Sequence, residues 1–312
     1  MSLEVAATGL TVRYPDGTLG LDEATFTLPA GRITGLLGRN GSGKTTLLSV
    51  FGNLRAPTAG QARVGGRPVF EDAVVAADTC LVRETPDVVG TDRVAAALDL
   101  VAVLRPRFDR ERAVAILDRF DVPLDRAVDD LSRGQRSAVG IAIGLANRAP
   151  LTMLDEVYLG LDAPSRYAFY DLLLEEQVAH PRTFVVSTHL VEEVGRLFED
   201  VLILDGGRVL RHASADDLRR EGTTLTGDAE VVAAFLAGAR AADGAVLTVA
   251  SEQRLGPTRA VTALGRLDER TRREAVELGL ELGPVPLQEV FVHLTTPAEG
   301  DDAVATSAVA DR

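Results

Sequence analysis

Along the first two thirds of the chain, short apolar runs bounded by turn residues alternate with longer stretches whose apolar positions recur at helical spacing. Residues 3–14 and 24–28 read as strands, closed by Pro15-Asp16-Gly17 and Pro29-Ala30-Gly31. Residues 32–37 form a short apolar run, followed by glycine-rich 38–43 and a helical pattern over 44–53, which predicts strand, loop, helix. Residues 56–66, with Pro57, Gly60 and Gly65-Gly66, read as loops between short strands, and 91–120 read as helix with a break at Pro106. A helix over 132–147 precedes three strand-like runs, 151–154, 183–186 and 201–204, the first two separated by a helical 164–179. Alternation of this kind predicts an α/β domain whose sheet is mainly parallel and covered on both faces.

Beyond about residue 211 the pattern weakens. Residues 231–242 and 269–280 read as helices, 245–250 and 259–264 as strands, and 288–294 as a final strand or helix. We therefore expect a domain over 1–210 with a helical insert over about 86–148, a small α+β domain over 211–296, and a disordered tail over 297–312, which is rich in Ala, Asp and Thr without aromatics.

Composition narrows the class. With 312 residues, 46% hydrophobic and 25% charged, the chain has the make-up of an ordinary globular protein. No run approaches the ~18 apolar residues that span a bilayer, and the first residues lack a signal-peptide pattern, so a cytoplasmic location is expected. The single cysteine, Cys80, cannot form an internal disulfide and reads as a buried thiol in a reducing compartment. With 46 acidic against 33 basic residues the formal net charge is −13, which disfavours nucleic acid as a partner. Any anion must be held by a local site.

Such a site is visible. Gly38-Arg39-Asn40-Gly41-Ser42-Gly43-Lys44-Thr45 matches G-x-x-x-x-G-K-[ST] between a predicted strand and a predicted helix. Glycines let backbone N–H groups converge on a phosphate at a helix N-terminus, Lys44 brings a cation to the β/γ oxygens from an exposed loop-to-helix junction, and the Thr45 hydroxyl can ligate Mg²⁺. Kinases, GTPases and ATPases share this loop, so it fixes nucleotide binding but not the reaction.

Two carboxylates end the next apolar strand, Leu151-Thr152-Met153-Leu154-Asp155-Glu156. Asp155 can reach a Mg²⁺ shell, while Glu156, pointing differently, can face an attacking water as general base or water-orienting group. Ser187-Thr188-His189 also follows a strand, and His189 can hydrogen-bond a γ-phosphate if that strand neighbours the first.

Leu131-Ser132-Arg133-Gly134-Gln135, ahead of the acidic pair, resembles the signature L-S-G-G-Q of ATP-binding cassettes. With the phosphate loop, the Asp155-Glu156 strand, Gly160-Leu161-Asp162 and His189 in the family's order, residues 3 to about 211 resemble an ABC transporter ATP-binding protein. The resemblance implies the P-loop ABC ATPase fold, with an antiparallel β subdomain and the helical insert, and ATP hydrolysis with ATP and Mg²⁺ as cofactors. It further implies nucleotide contacts from Tyr14, stacking on adenine, from Gly38, Asn40, Gly41, Ser42, Gly43, Lys44, Thr45 and Thr46, and, in trans, from Ser132, Gly134 and Gln135. Catalysis would fall to Glu156 and His189.

Three departures from the family pattern stand out. No glutamine occurs between Gln61 and Gln135, so Glu84 occupies the place of the usual loop glutamine and becomes a third metal-ligand candidate beside Thr45 and Asp155. Arg133 replaces a signature glycine, and Val157-Tyr158 replace the usual Pro-Thr. The resemblance implies two partners, a separate transmembrane permease subunit and a second ATP-binding subunit in a homodimer or heterodimer, with this chain peripheral on the inner face of the membrane. The extension resembles accessory domains of some exporter ATPases, so export is expected. The alternative is a soluble ABC ATPase acting on a macromolecular complex; such proteins usually carry two cassettes, a long coiled coil or basic arms. A P-loop small-molecule kinase would lack the signature and His189.

Overall fold

The computed structural model describes residues 2–84, 88 and 90–296. The expected tail over 297–312, and residues 86, 87 and 89 at the start of the expected insert, lie outside the described residues. The chain divides into two compact units, Met1–His212 and Ala213–Arg312.

In the first unit β1 (Val5–Arg13) and β2 (Leu19–Leu28) pair antiparallel, each alternating buried and exposed positions as a half-covered strand should. β3 (Ile33–Leu37) is buried throughout and leads into α1 (Lys44–Phe51). β4 (Ala59–Val64) and β5 (Arg67–Pro68) complete a four-stranded antiparallel sheet in the order β2-β1-β4-β5. Leu47, Leu48, Val50 and Phe51 of α1 share a core with Leu10, Leu21, Phe26 and Leu28, which fixes the helix between this sheet and the next.

That next sheet has six strands. After α2 (Ala73–Asp78) come β6 (Thr79–Arg83), the insert helices α3 (Val94–Leu104) and α4 (Arg110–Asp118), and α5 (Arg133–Ala146). β7 (Leu151–Asp155), α6 (Ala163–Ala179), β8 (Thr183–Thr188), α7 (Val191–Val194), β9 (Asp200–Asp205) and β10 (Arg208–Ser214) follow. The order is β10-β9-β3-β8-β7-β6, with β9, β3, β8, β7 and β6 parallel to their neighbours. The register aligns their carboxyl ends: Leu37 faces Thr188, Ser187 faces Asp155, and Asp155 faces Arg83. Gly38, His189, Glu156 and Glu84 therefore each lie one residue beyond the same sheet edge. Cys80 is buried within β6, and burial pushes its thiol up to about 11, so it stays protonated.

In the second unit α8 (Ala215–Arg219) precedes β11 (Gly222–Asp228), α9 (Ala229–Gly238), β12 (Thr248–Leu255), β13 (Thr258–Leu264), α10 (Glu269–Glu277), β14 (Glu281–Gly283) and α11 (Leu287–Thr295). The strand order β12-β13-β11-β14, all antiparallel, with a helix after β11 and after β13, is the βαββαβ arrangement of ferredoxin-like folds. Leu225, Val261 and Ala263 pack with Val232 and Phe235 in its core. The helix expected over 231–242 stops at Gly238, because Ala239 takes extended backbone angles (φ −68°, ψ 146°) and the chain turns at Asp243-Gly244. The strand expected over 245–250 lies at Thr248–Leu255, β11 and β14 were not anticipated, and the last element is a helix.

Candidate functional site

β3 ends at the centre of the sheet and the loop after it wraps toward the N-terminus of α1. Gly41 and Gly43 have φ of 81° and 104°, left-handed values that only glycine adopts readily. A Cβ on Gly43 would stand 2.5 Å from the Gly20 carbonyl oxygen, so side chains are excluded there on two grounds. The loop borders a cavity of about 440 Å³ lined by Tyr14, Thr18, Leu19, Gly20, residues 40–46 and Glu156. Lys44 is buried, 6% exposed, and not at an exposed junction. Its Nζ donates to the carbonyls of Gly38 at 2.8 Å and Arg39 at 3.2 Å and lies 3.4 Å from Glu156 Oε1. Ser42 Oγ is buried in the loop with no hydrogen-bond partner, and a phosphate oxygen is the acceptor that such a group lacks.

β8 does neighbour β7, so the acids and His189 meet at one edge. Asp155, 6% exposed, ends β7 and accepts a hydrogen bond from Ser187 Oγ. The same hydroxyl accepts from the Glu156 N–H at 3.1 Å. Glu156 itself sits at φ 50°, a left-handed value unusual for a non-glycine residue, which turns its side chain away from that of Asp155. Its carboxylate lies between Lys44 and His189, whose Nδ1 is 3.4 Å from Glu156 Oε2 yet makes no hydrogen bond. A cation, a carboxylate and an imidazole with a free nitrogen thus converge at the mouth of the phosphate loop.

Three side chains that sequence reasoning gave no role shape this edge. Ser187 ties Asp155 to Glu156 as described. Tyr158 is fully buried; its hydroxyl pairs with Thr188 Oγ1 at 2.6 Å and accepts from the His189 N–H at 3.4 Å. Burial pushes this phenol up to about 12, against the hydrogen bond with Thr188, so it remains protonated and fixes the turn that carries His189. The available signal was the Ser187-Thr188 pair immediately before His189 at a strand's carboxyl end. Replacing Ser187 by alanine leaves an Asp155 oxygen without its donor and the Glu156 N–H without its acceptor. ATP turnover or metal affinity is expected to fall about 10–100-fold, measured as phosphate release across a Mg²⁺ titration; an unchanged titration would remove Ser187 from the site.

The signature residues stand apart. Ser132 caps α5, accepting from the Gln135 N–H at 3.2 Å, while Gln135 Oε1 accepts from the Ser132 N–H, a capping box that the S-x-x-Q spacing encodes. The Gln135 amide also donates to the Asp121 carbonyl. Ser132, Gly134 and Gln135 line a second cavity, about 390 Å³, with Gly160, Leu161 and Asp162, and it shares no lining residue with the first. Glu84 is not among the lining residues of either cavity; its carboxylate pairs with the Arg133 guanidinium, joining two of the departures noted in the sequence. Among the described residues no three His, Cys, Asp or Glu side chains cluster as a metal site. Thr45 and Asp155 suit Mg²⁺, which is commonly held by one or two protein oxygens together with substrate phosphates.

The family described as ABC transporter matches residues 21–158. A daunorubicin resistance ATP-binding protein, DrrA3, of Streptomyces coeruleorubidus is 30% identical over 323 aligned positions covering 96% of each chain. An aliphatic sulfonates import ATP-binding protein, SsuB 1, of Nocardia farcinica is 33% identical over 66% of this chain and 80% of its own. A solved structure of an ATP-binding subunit of an ABC transporter superposes with a TM-score of 0.63 at 25% identity, over 69% of this chain and 92% of that one. The chain belongs to the ABC transporter family as one of its ATP-binding, ATP-hydrolysing subunits.

Proposed function

We propose that this chain powers export: two ATP-binding subunits close around ATP, and their closure and reopening drive a separate permease. The observation that carries the dimer is the separation of the two cavities within one chain. A nucleotide on the phosphate loop can meet Ser132, Gly134 and Gln135 only if another subunit presents them. The direction rests on DrrA3, a resistance protein matched over 96% of each chain, whereas SsuB 1, named for import, matches only two thirds of this chain.

In this reading the loop N–H groups, Ser42 Oγ and Lys44 Nζ receive the phosphates, with Asn40 and Thr46 completing the cradle and Tyr14 stacking on adenine. Thr45 and Asp155 would hold Mg²⁺, which would supply positive charge against the triphosphate. Glu156 orients the attacking water and takes its proton, and His189 hydrogen-bonds the γ-phosphate. Glu84 can join the metal only after leaving Arg133.

No helix among the described residues is long and apolar enough to cross a membrane. A groove of about 420 Å³ between the insert and the core, lined by Leu54, Leu81, Val101 and Leu104 among others, offers a permease contact. Beside it Leu100, Val103 and Leu104 of α3 are exposed, Val103 by 81%. In the native cell, Val103→Glu with Leu104→Glu is expected to move the chain from the membrane fraction to the supernatant while ATP affinity is unchanged. Retention on membranes would count against docking at this groove.

A further inference from the structure

Arg55 follows α1, and its guanidinium carbon lies 4.4 Å above the centre of the Tyr14 ring. Tyr14 lines the nucleotide cavity and Arg55 does not. Among the described residues it has no carboxylate partner, in a chain of net charge −13 where acids outnumber bases. The ring is held at two further points. Its hydroxyl pairs with Thr46 Oγ1 at 2.9 Å, and its edge rests on Gly20, where a Cβ would come within 2.6 Å of Tyr14 Cε2. The segment after Arg55 is itself tied to β1: the Thr58 N–H donates to the Thr11 carbonyl, and Thr58 Oγ1 accepts from the Arg13 N–H at 2.9 Å. Arg55 and Tyr14 are thereby kept in register by the backbone on either side of them.

We infer that Arg55 is a positioning residue for the nucleobase, acting through Tyr14. A cation on one face of an aromatic ring is attracted by the ring quadrupole and holds the ring flat against it. It also draws electron density from the ring, which favours stacking of an electron-rich purine on the opposite face. The contact sets affinity for the base and leaves the chemistry at the γ-phosphate alone. This rests on the reading of Tyr14 as the adenine platform, and the test separates the two.

Binding of MgATP and of tripolyphosphate, which has no base, is measured by calorimetry for the intact chain and for Arg55→Met, Arg55→Lys, Tyr14→Ala and the double variant Tyr14→Ala with Arg55→Met. Thermal unfolding confirms that each is folded. Arg55→Met is expected to weaken MgATP about two- to fivefold and to raise KM by the same factor at unchanged kcat. Arg55→Lys, which keeps a cation, should stay within twofold of the parent. Tyr14→Ala should weaken MgATP on the order of tenfold, and the double variant should be no weaker than Tyr14→Ala alone. Tripolyphosphate should bind all five alike. Additive losses in the double variant, weakened tripolyphosphate binding in Arg55→Met, or unaltered MgATP binding in Arg55→Met would each overturn the role of Arg55. Unaltered MgATP binding in Tyr14→Ala would overturn the platform itself.

Discussion

Glu156→Gln is expected to lower ATP turnover by about 10²–10⁴-fold, the range for loss of a positioned general base, while ATP stays bound. In the free subunit the Glu156 carboxylate lies 3.4 Å from Lys44 Nζ, so it competes with phosphate for the only lysine of the loop. Neutralising it removes that competitor, and ATP affinity should hold or rise. With hydrolysis blocked, Mg-ATP should drive accumulation of a dimer, because in the proposed arrangement the nucleotide would stay between the phosphate loop of one subunit and the Ser132-Gly134 cavity of another. Adding Ser132→Arg should prevent it by placing a bulky cation at the cap of α5. Phosphate release gives the first result and light scattering after size exclusion the second. Normal hydrolysis would remove Glu156 from the base role. An inactive variant that stays monomeric would point to a different ATP-binding partner or to a required permease.

Lys44→Ala should weaken ATP by about 10–100-fold, the worth of one to two charge-assisted hydrogen bonds, and bring turnover to background. The side chain is buried and donates to two loop carbonyls, so the variant also loses pins that shape the loop. Affinity is read by calorimetry and the fold by circular dichroism. Unchanged affinity with unchanged turnover would overturn the assignment of this loop as the phosphate cradle.

What the sequence disclosed, and what it hid, follows from the range of the forces involved. The phosphate loop was legible because Gly41 and Gly43 must take left-handed backbone angles, a demand written locally in residue type. Asp155 was legible as the residue that ends a strand, Glu156 and His189 as residues just past strand ends, and strand register did the rest. The inward fold of Lys44 was not, since it depends on the carbonyls of Gly38 and Arg39 and on Glu156 more than a hundred positions away. Ser187 was hidden for a similar reason: a serine ending a strand shows its task only when β8 lies beside β7. In the second unit, β11 carries Leu225 as its single large apolar residue, too little for a periodic signal, and its identity as a strand comes from pairing with β13 and β14. The Ala-rich stretch past Gly238 reads as helix by propensity, but the turn at Asp243-Gly244 feeds β12 instead.

The contact between Glu84 and Arg133 joins residues 49 positions apart, each of which looks like a defect when its own motif is read alone. Together they are electrically neutral. Reverting only Glu84 to glutamine would leave an unmatched guanidinium at the first turn of α5, where the helix dipole already carries positive character. Reverting only Arg133 to glycine would leave a lone carboxylate beside a sheet edge that must accept a triphosphate. The two positions are therefore expected to have changed in step during descent: among relatives of this chain, those with glutamine at the position of Glu84 should carry glycine at that of Arg133, and mixed pairs should be scarce.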